Sequence, residues 1–341
     1  MALRGAISGF GEVAAQAHLA GWLRRPDVNI VAIHDPVPDR RHQALRLIKN
    51  VRVYEDLELM IDGEALDFVD IASPPAFHAA AVSMALAAGA NVLVEKPLCL
   101  EAAQYAELST LAAQKSCVLM CVHNWKHAPA YRRAYDLIKS GRLGELRYAS
   151  LTRLRSAPAG HGSVAGGERW RRDAKTGGGI LIDHGWHVFY LLQWMMEGAP
   201  HWISTNLTLD MKTAVDEAAN MRIGFGGGRI GHAHLSWRAP ARRTAATLYG
   251  DRGLLEMEGD RMLLTERSGN TEDCSVSDAP DDSYHSAWFA KMAEEFERAM
   301  SEGHEGPIMC ENAAGVRAAL ALTASARRSA ETDGAAVVVN A

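Results

Sequence analysis

The chain has little of what would mark a secreted, membrane-bound or nucleic-acid-binding protein. It holds only five cysteines in 341 residues: Cys99, Cys117, Cys121, Cys274 and Cys310. Their number is odd, they are widely spaced, and no Cys-x-x-Cys pair occurs. That argues against a disulfide framework and a structural zinc site, and makes a reducing cytoplasm the expected setting. No stretch approaches about 18 uninterrupted apolar residues, so no membrane span is expected. The chain opens directly into a strand-like run, with no apolar segment ahead of a cleavage site, so no secretory leader is expected either. There is no long basic run, and the formal net charge is −5. Nucleic acid and anionic membrane are therefore poor partners. Internal repeats and low-complexity tracts are absent as well.

Hydrophobic residues make up 48 % of the chain and charged residues 23 %. This is the balance of a globular protein with a sizeable core, and the length suits roughly two domains of about 150 residues each. The first 122 residues alternate strand and helix signals. Strand runs are expected at 5–8, 28–34, 51–54, 68–72, 91–94 and 117–122, with helices between them. That alternation predicts parallel strands joined by right-handed crossovers, a doubly wound sheet. After Asn124 the pattern changes. A helix at 129–140, a long strand at 146–155, a Gly/Ser/Ala-rich loop at 156–167 and a helix at 180–196 lead into six strand-like runs between 202 and 265. Short turns between those runs predict an antiparallel meander. Helices at 286–300 and 311–330 close the chain. The expected organisation is an α/β dinucleotide-binding domain over 1–123 and an α+β substrate and oligomerisation domain over 124–341.

The segment Gly9-Phe10-Gly11-Glu12-Val13-Ala14 follows a strand and opens a helix. Its glycines allow a tight turn and close approach of backbone to a pyrophosphate, and the helix N-terminus directs N–H groups at the phosphates. Asp35 ends the second strand, 24 residues past Gly11, where an acid meets the adenine ribose hydroxyls. Its charge repels a 2′-phosphate, which favours NAD over NADP. Arg40 and Arg41 lie close enough in sequence to soften that preference.

Two further segments carry chemistry. Glu95-Lys96-Pro97 follows the strand at 91–94, and in open parallel sheets ligands lie beyond the carboxyl ends of the strands. Lys96 is thereby expected at the cofactor, where its ammonium stabilises a developing alkoxide. Gly177-Gly178-Gly179 leads into a helix with Asp183 and His187 four residues apart, on one helix face. An imidazole suits proton transfer near neutral pH, and the carboxylate orients it or holds a substrate hydroxyl. The plainer alternative makes Asp183 a helix cap and His187 a core residue. A metal alternative gathers Asp183, His184 and His187 with His123 or His127, but leaves the dinucleotide signals unexplained.

These residues resemble the glucose-fructose oxidoreductase / inositol dehydrogenase / MocA (GFO/IDH/MocA) family over nearly the whole chain. The resemblance rests on Gly9-x-Gly11, Asp35, Ser73-Pro74-x-x-x-His78, Glu95-Lys96-Pro97, Asn124, Trp170-Arg171 and the Gly-Gly-Gly-x-Leu-x-Asp-x-Gly-x-His run that ends at His187. It implies Lys96, Asp183 and His187 as the catalytic set. It also implies a cis Lys96–Pro97 bond, sugars or cyclitols as substrates, and an open antiparallel sheet that packs against another subunit. Ser73, Pro74, His78, Glu95, Asn124, Trp170 and Arg171 join the glycine segment, Asp35 and Arg40 as implied cofactor contacts. The chain departs from the family pattern at Lys126, where an Arg is common, and at Tyr190, where an acid often stands. The expected activity is NAD-dependent hydride transfer to or from a carbon bearing oxygen, by a homodimer or homotetramer, with no metal. The alternatives are a non-catalytic dinucleotide and sugar sensor, and a glycoside hydrolase that works through transient oxidation. Trp125, Trp170 and Trp186 are candidate faces for a sugar ring, with core packing as the competing role.

Overall fold

The computed structural model describes residues 2–158, 169–278 and 284–340. In chain order its first half runs β1 (Leu3–Ser8), α1 (Leu19–Trp22), β2 (Val28–His34), α2 (Pro38–Leu47), β3 (Arg52–Tyr54), α3 (Leu57–Gly63), β4 (Phe68–Ile71), α4 (His78–Ala87), β5 (Asn91–Val94), α5 (Ala102–Gln114) and β6 (Leu119–Cys121). Next come α6 (Pro129–Lys139), β7 (Leu146–Leu154), α7 (Trp186–Met196), β8 (Pro200–Leu209), β9 (Asp216–Phe225), β10 (Ile230–Ser236), β11 (Arg243–Gly250), β12 (Gly253–Glu258), β13 (Arg261–Glu266) and β14 (Thr271–Asp273). The chain closes with α8 (Ser286–Glu302), α9 (Pro307–Ala330) and β15 (Val337–Val338). Most of the loop expected at 156–167 lies outside the described residues. Among the described residues no helix is long and apolar enough to cross a membrane.

The chain divides into two compact units: Met1–Asn124 with Pro280–Ala314, and Trp125–Ala279 with Gly315–Ala341. The sequence reading gave all of 124–341 to one domain. Residues 284–314 instead fold with the first unit, and its core gives the reason. Trp22 and Phe68 are fully buried with ring centroids 4.7 Å apart. Phe289 and Phe296 of α8 meet Trp22 edge-on at 5.8 and 6.3 Å. These aromatic rings arrive from α1, β4 and α8, so sequence periodicity within one element does not reveal them.

The first unit is a parallel sheet in the order β3-β2-β1-β4-β5-β6. All four residues of β4 are buried, as befits a central strand covered on both faces. β6 lies at the sheet edge, and Asn312 satisfies it. Cys121 N–H donates to Asn312 Oδ1 at 3.0 Å, and Asn312 Nδ2 donates to the Cys121 carbonyl at 2.9 Å.

The second unit holds a nine-stranded sheet in the order β14-β13-β12-β11-β7-β10-β9-β8-β15. The expected meander is interrupted. β7 sits between β10 and β11 and runs parallel to β10, so the sheet is mixed. One face is buried through Ala149, Leu151, Met221, Ile223, Leu248 and Leu264. The alternate face carries Ser150, Thr152, Asn220, Thr247 and the stacked Tyr148–Tyr249 pair. This face is largely polar.

If α8 completes the first unit's core, Phe296→Ala should cost about 3–5 kcal/mol of unfolding free energy, the usual loss for a large buried aromatic. Denaturant unfolding measures it. A loss below about 1 kcal/mol, the range of an ordinary surface change, would remove α8 from that core.

Candidate functional site

The candidate residues of the first unit gather at the carboxyl ends of its strands. The turn after β1 begins at Gly9, whose φ is +88°. A Cβ there would lie 2.6 Å from Ser73 N, so both conformation and space require glycine. A π-type turn, Ala14–His18, then replaces the straight helix expected from the sequence. Its last bond runs from Leu19 N–H to the Ala14 carbonyl, and such turns are frequent at functional sites. Glu12 is half-buried and Val13 exposed at its head. The Phe10 side chain is fully buried, so only its backbone serves the turn. Phe10 N–H donates to Asp35 Oδ2 at 2.7 Å, and Val37 N–H to Asp35 Oδ1 at 2.8 Å. Asp35 thus locks the glycine turn to the end of β2. Arg40 lies beside the turn, its Nη1 2.7 Å from where a Cβ on Gly11 would stand.

Ser73 Oγ and Asn124 Oδ1 are buried without a hydrogen-bond partner among the described residues. Buried polar atoms are normally satisfied, so this pair fits a polar ligand at the strand ends. His78 plays a different part from the direct contact expected of it. Its Nδ1 and Nε2 each lie 2.7 Å from a carbonyl oxygen, of Pro97 and Ser73 respectively. It clamps the Ser73-Pro74 turn to the Lys96-Pro97 turn. Burial pushes its pKa down, against the two carbonyls that favour the charged ring.

Lys96 follows β5 directly, and the Lys96–Pro97 bond is cis. Its backbone N–H donates to Glu95 Oε2 at 2.9 Å. Glu95 is itself held by a residue that sequence inspection missed. His18 Nε2 lies 3.1 Å from Glu95 Oε1, and His18 Nδ1 lies 2.9 Å from Asp70 Oδ2. Trp22 Nε1 also donates to Asp70 Oδ2, at 2.7 Å. The His18 ring stacks on Phe289 at 3.9 Å. Burial alone would push the imidazole pKa down, but Asp70 and then Glu95 outweigh it and raise the value to about 9. His18 is therefore an imidazolium at neutral pH. It escaped notice because its partners lie 52 and 77 residues away in sequence.

In the second unit the three-glycine run makes the turn into the helix. Gly177 and Gly179 have φ of +84° and +111°, and a Cβ on Gly178 would strike the carbonyls of Trp170 and Arg171 at 2.7 Å. The helix begins with a second π-type turn, Leu181–Gly185, before α7. Its N-terminus is capped from another strand: Leu181 N–H donates to Asp216 Oδ2 at 2.6 Å. The capping role considered for Asp183 thus belongs to Asp216, which sequence inspection also missed. Asp183 is buried, 3.2 Å from Arg171 Nε and 3.3 Å from His184 Nδ1.

His187 is buried in α7 and stacks on Trp125 at 4.1 Å, the rings within 1° of parallel. Its Nδ1 lies 3.0 Å from Tyr190 Oη, which also accepts the Trp125 backbone N–H at 3.0 Å. Tyr190, at the position where the family often has an acid, thus meets the histidine ring. The Arg153 guanidinium lies 4.2 Å from the Trp125 ring, and that of Arg171 lies 4.3 Å from the Trp170 ring. Trp186 is fully buried. All three tryptophans are engaged by protein groups, which favours packing over sugar stacking. Lys126 is buried, 5.6 Å over the Trp194 ring. Among the described residues no group of three or more His, Cys, Asp or Glu is placed to hold a metal ion.

Two family models match the chain. The one described as "Oxidoreductase family, NAD-binding Rossmann fold" covers residues 3–123, and the one described as "GFO/IDH/MocA C-terminal domain" covers 131–256. D-glucoside 3-dehydrogenase of Escherichia coli (strain K12) is 30 % identical over 54 % of this chain and 52 % of its own length. dTDP-3,4-didehydro-2,6-dideoxy-alpha-D-glucose 3-reductase of Streptomyces violaceoruber is 27 % identical over 80 % of each chain. Of solved structures, GenD2 from gentamicin A biosynthesis in complex with NAD has a TM-score of 0.84 at 25 % identity, covering 100 % of this chain and 97 % of that one. The chain spans about half the length of the glucoside dehydrogenase it matches.

The His18 network sets a pH dependence. Its pKa is raised on folding, so its stabilising contribution is whole below the ordinary value of 6.5 and is lost as pH rises towards about 9. Thermal melting should show a fall across that window in the unmutated protein and a flatter profile in His18→Gln. Parallel profiles for the two proteins would contradict a charged His18.

Proposed function

The chain belongs to the GFO/IDH/MocA family of oxidoreductases, whose N-terminal half is an NAD-binding Rossmann domain. On that premise we propose that it moves hydride between NAD and a hydroxyl or carbonyl carbon of a sugar, sugar derivative or cyclitol. The observation that carries this reading is the His187 imidazole, buried against Trp125 and engaged at Nδ1 by Tyr190. Stacking and the phenol together hold the ring in one orientation, which suits a proton-transfer group. The relatives named for dehydrogenation or reduction at sugar carbons support the substrate class.

Bound NAD supplies the acceptor for the hydride. The glycine turn and the π-type turn receive its pyrophosphate, with Ser73 and Asn124 as further polar contacts at the strand ends and Pro74 as an apolar one. Asp35 faces the adenine ribose and disfavours a 2′-phosphate, while Arg40 stands beside the same turn. His187 exchanges the hydroxyl proton. With Nδ1 engaged by the phenol, that exchange falls to Nε2, and Tyr190 Oη, both donor and acceptor, serves either ring tautomer. Lys96 places an ammonium at the substrate oxygen, where charge develops. Glu95 fixes the backbone from which Lys96 extends. Asp183, beside Arg171 and His184, holds a substrate hydroxyl.

The exposed face of the nine-stranded sheet is proposed to meet a second copy of the chain, giving a homodimer or homotetramer. Light scattering that finds a 37.0 kDa particle would reject that. A cytoplasmic setting suits the five free thiols, four of which are buried.

Loss of a general acid/base costs about 10²–10⁴-fold in rate. His187→Ala should fall in that range on whichever polyol reduces NAD, and Lys96→Ala at least as far, with NAD affinity nearly unchanged in both. Tyr190→Phe keeps the ring and removes the hydroxyl, so its loss should be smaller than that of His187→Ala. Near-normal turnover in a folded His187→Ala protein would remove the histidine from the mechanism.

A further inference from the structure

Several arginines of the second unit are paired with carboxylates. Arg147 meets Glu145 at 2.8 Å, Arg243 meets Glu258 at 2.8 Å, and Arg142 meets Glu266 and Glu272 at 2.8 and 2.7 Å. Exposed Arg238, Arg252, Arg261 and Arg317 are not, and neither are Arg153, Arg155 and Arg242. None of them forms a salt bridge among the described residues. Arg153 and Arg155 are two apart at the end of β7, hence on the same side of the sheet, and both are at least half-buried. The Arg155 backbone extends the pairing of β7 with β10 through a bond to the Ser236 carbonyl. Arg153 stacks on the indole that backs His187, and its Nη1 is bonded to Thr244 Oγ1.

The cations repel one another. Burial, followed by repulsion from Arg242 and Arg155, pushes the Arg153 pKa down to about 10, with Tyr131 pulling the other way. Arg155 is lowered by burial and by Arg242 and Arg171, and Asp183 is the carboxylate that acts on it. Asp183 already meets Arg171 at 3.2 Å. Among the described residues, Asp183 thus answers to more than one guanidinium. An unpaired buried charge is costly unless a counter-charge arrives, and a planar guanidinium is matched to carboxylate and phosphate oxygens.

We propose that the substrate carries an oxyanion, a carboxylate or a phosphate, that Arg155 and Arg242 bind directly while Arg153 adds its charge from behind Trp125. This rests on the reading of the site given above and narrows it: sugar acids or sugar phosphates rather than neutral polyols. Half-buried Arg155 fixes the position of the anion, and exposed Arg242 covers it from solvent. The anionic group takes no part in the hydride step and is unchanged by it.

The test is calorimetry on the NADH-loaded protein with glucose, gluconate, glucuronate and glucose 6-phosphate. At least one anionic compound should bind about tenfold or more tighter than glucose, the worth of one charge-assisted hydrogen bond. The gap should narrow as salt rises. Preference for the acids identifies a carboxylate, and preference for the ester a phosphate. Arg155→Gln and Arg242→Gln should each bring the anionic compound down towards glucose, and Arg155→Lys should recover part of the difference. Arg242 is exposed, so its variant serves if Arg155→Gln does not fold. Equal binding of charged and neutral compounds, or no binding of any anion, overturns the proposal. So does a fall in NADH affinity in the arginine variants, which would assign these cations to the cofactor. Tight anion binding without NAD reduction by any compound would instead defeat the dehydrogenase reading and leave the anion site standing.

Discussion

One buried imidazolium organises the first unit. His18 reaches Asp70 on β4 with one nitrogen and Glu95, beside Lys96, with the other, while its face lies on Phe289 of α8. The π-type turn after the glycine segment sets the direction from which it does so. A charge this deep is tolerated because both ring N–H groups meet carboxylates, and because Trp22 adds a donor to Asp70. Removing one partner from such a set leaves a charge uncompensated, which is far more costly than never having built it. The position of Lys96 therefore depends on a core network rather than on its own loop. Glycine turn, central strand, Glu95-Lys96-Pro97 motif and returning helix are fastened at one point.

The second unit achieves the same rigidity by other means. Asp216 on β9 caps the helix that presents Asp183 and His187. Tyr190, one turn beyond His187, joins the imidazole to the Trp125 backbone. A phenol in place of a carboxylate keeps the ring oriented without adding a negative charge beside it. The orientation of the ring is thus supplied by a neutral residue.

Much of this was legible in the sequence. The alternation of strand and helix runs to residue 122, the glycine segment, Asp35 and the Glu95-Lys96-Pro97 motif are local patterns, and local patterns can be read from one chain. Boundaries such as β5 at Asn91–Val94 and α5 at Ala102–Gln114 follow from them directly. What escaped was non-local. The packing of α8 on Trp22, the insertion of β7 beside β10, and the cap from Asp216 each join residues far apart in sequence. Periodicity gives each element its own face but does not name the partner of that face. The helix of Asp183 and His187 was read as regular, yet a π-type turn shifts its register at that very segment. His78 was taken for a ligand contact because its spacing fits the family motif, whereas its two carbonyl partners make it a clamp between turns.

The central claim is that Lys96 and His187 serve a hydride transfer to NAD from a carbon that bears the hydroxyl. The most direct test is to follow deuterium from that carbon. With a substrate deuterated there and protium in the solvent, the NADH formed should carry deuterium at C4 of the nicotinamide, with none washed out. NADH that carries only solvent hydrogen, or product formed while the label passes to water, would contradict the account.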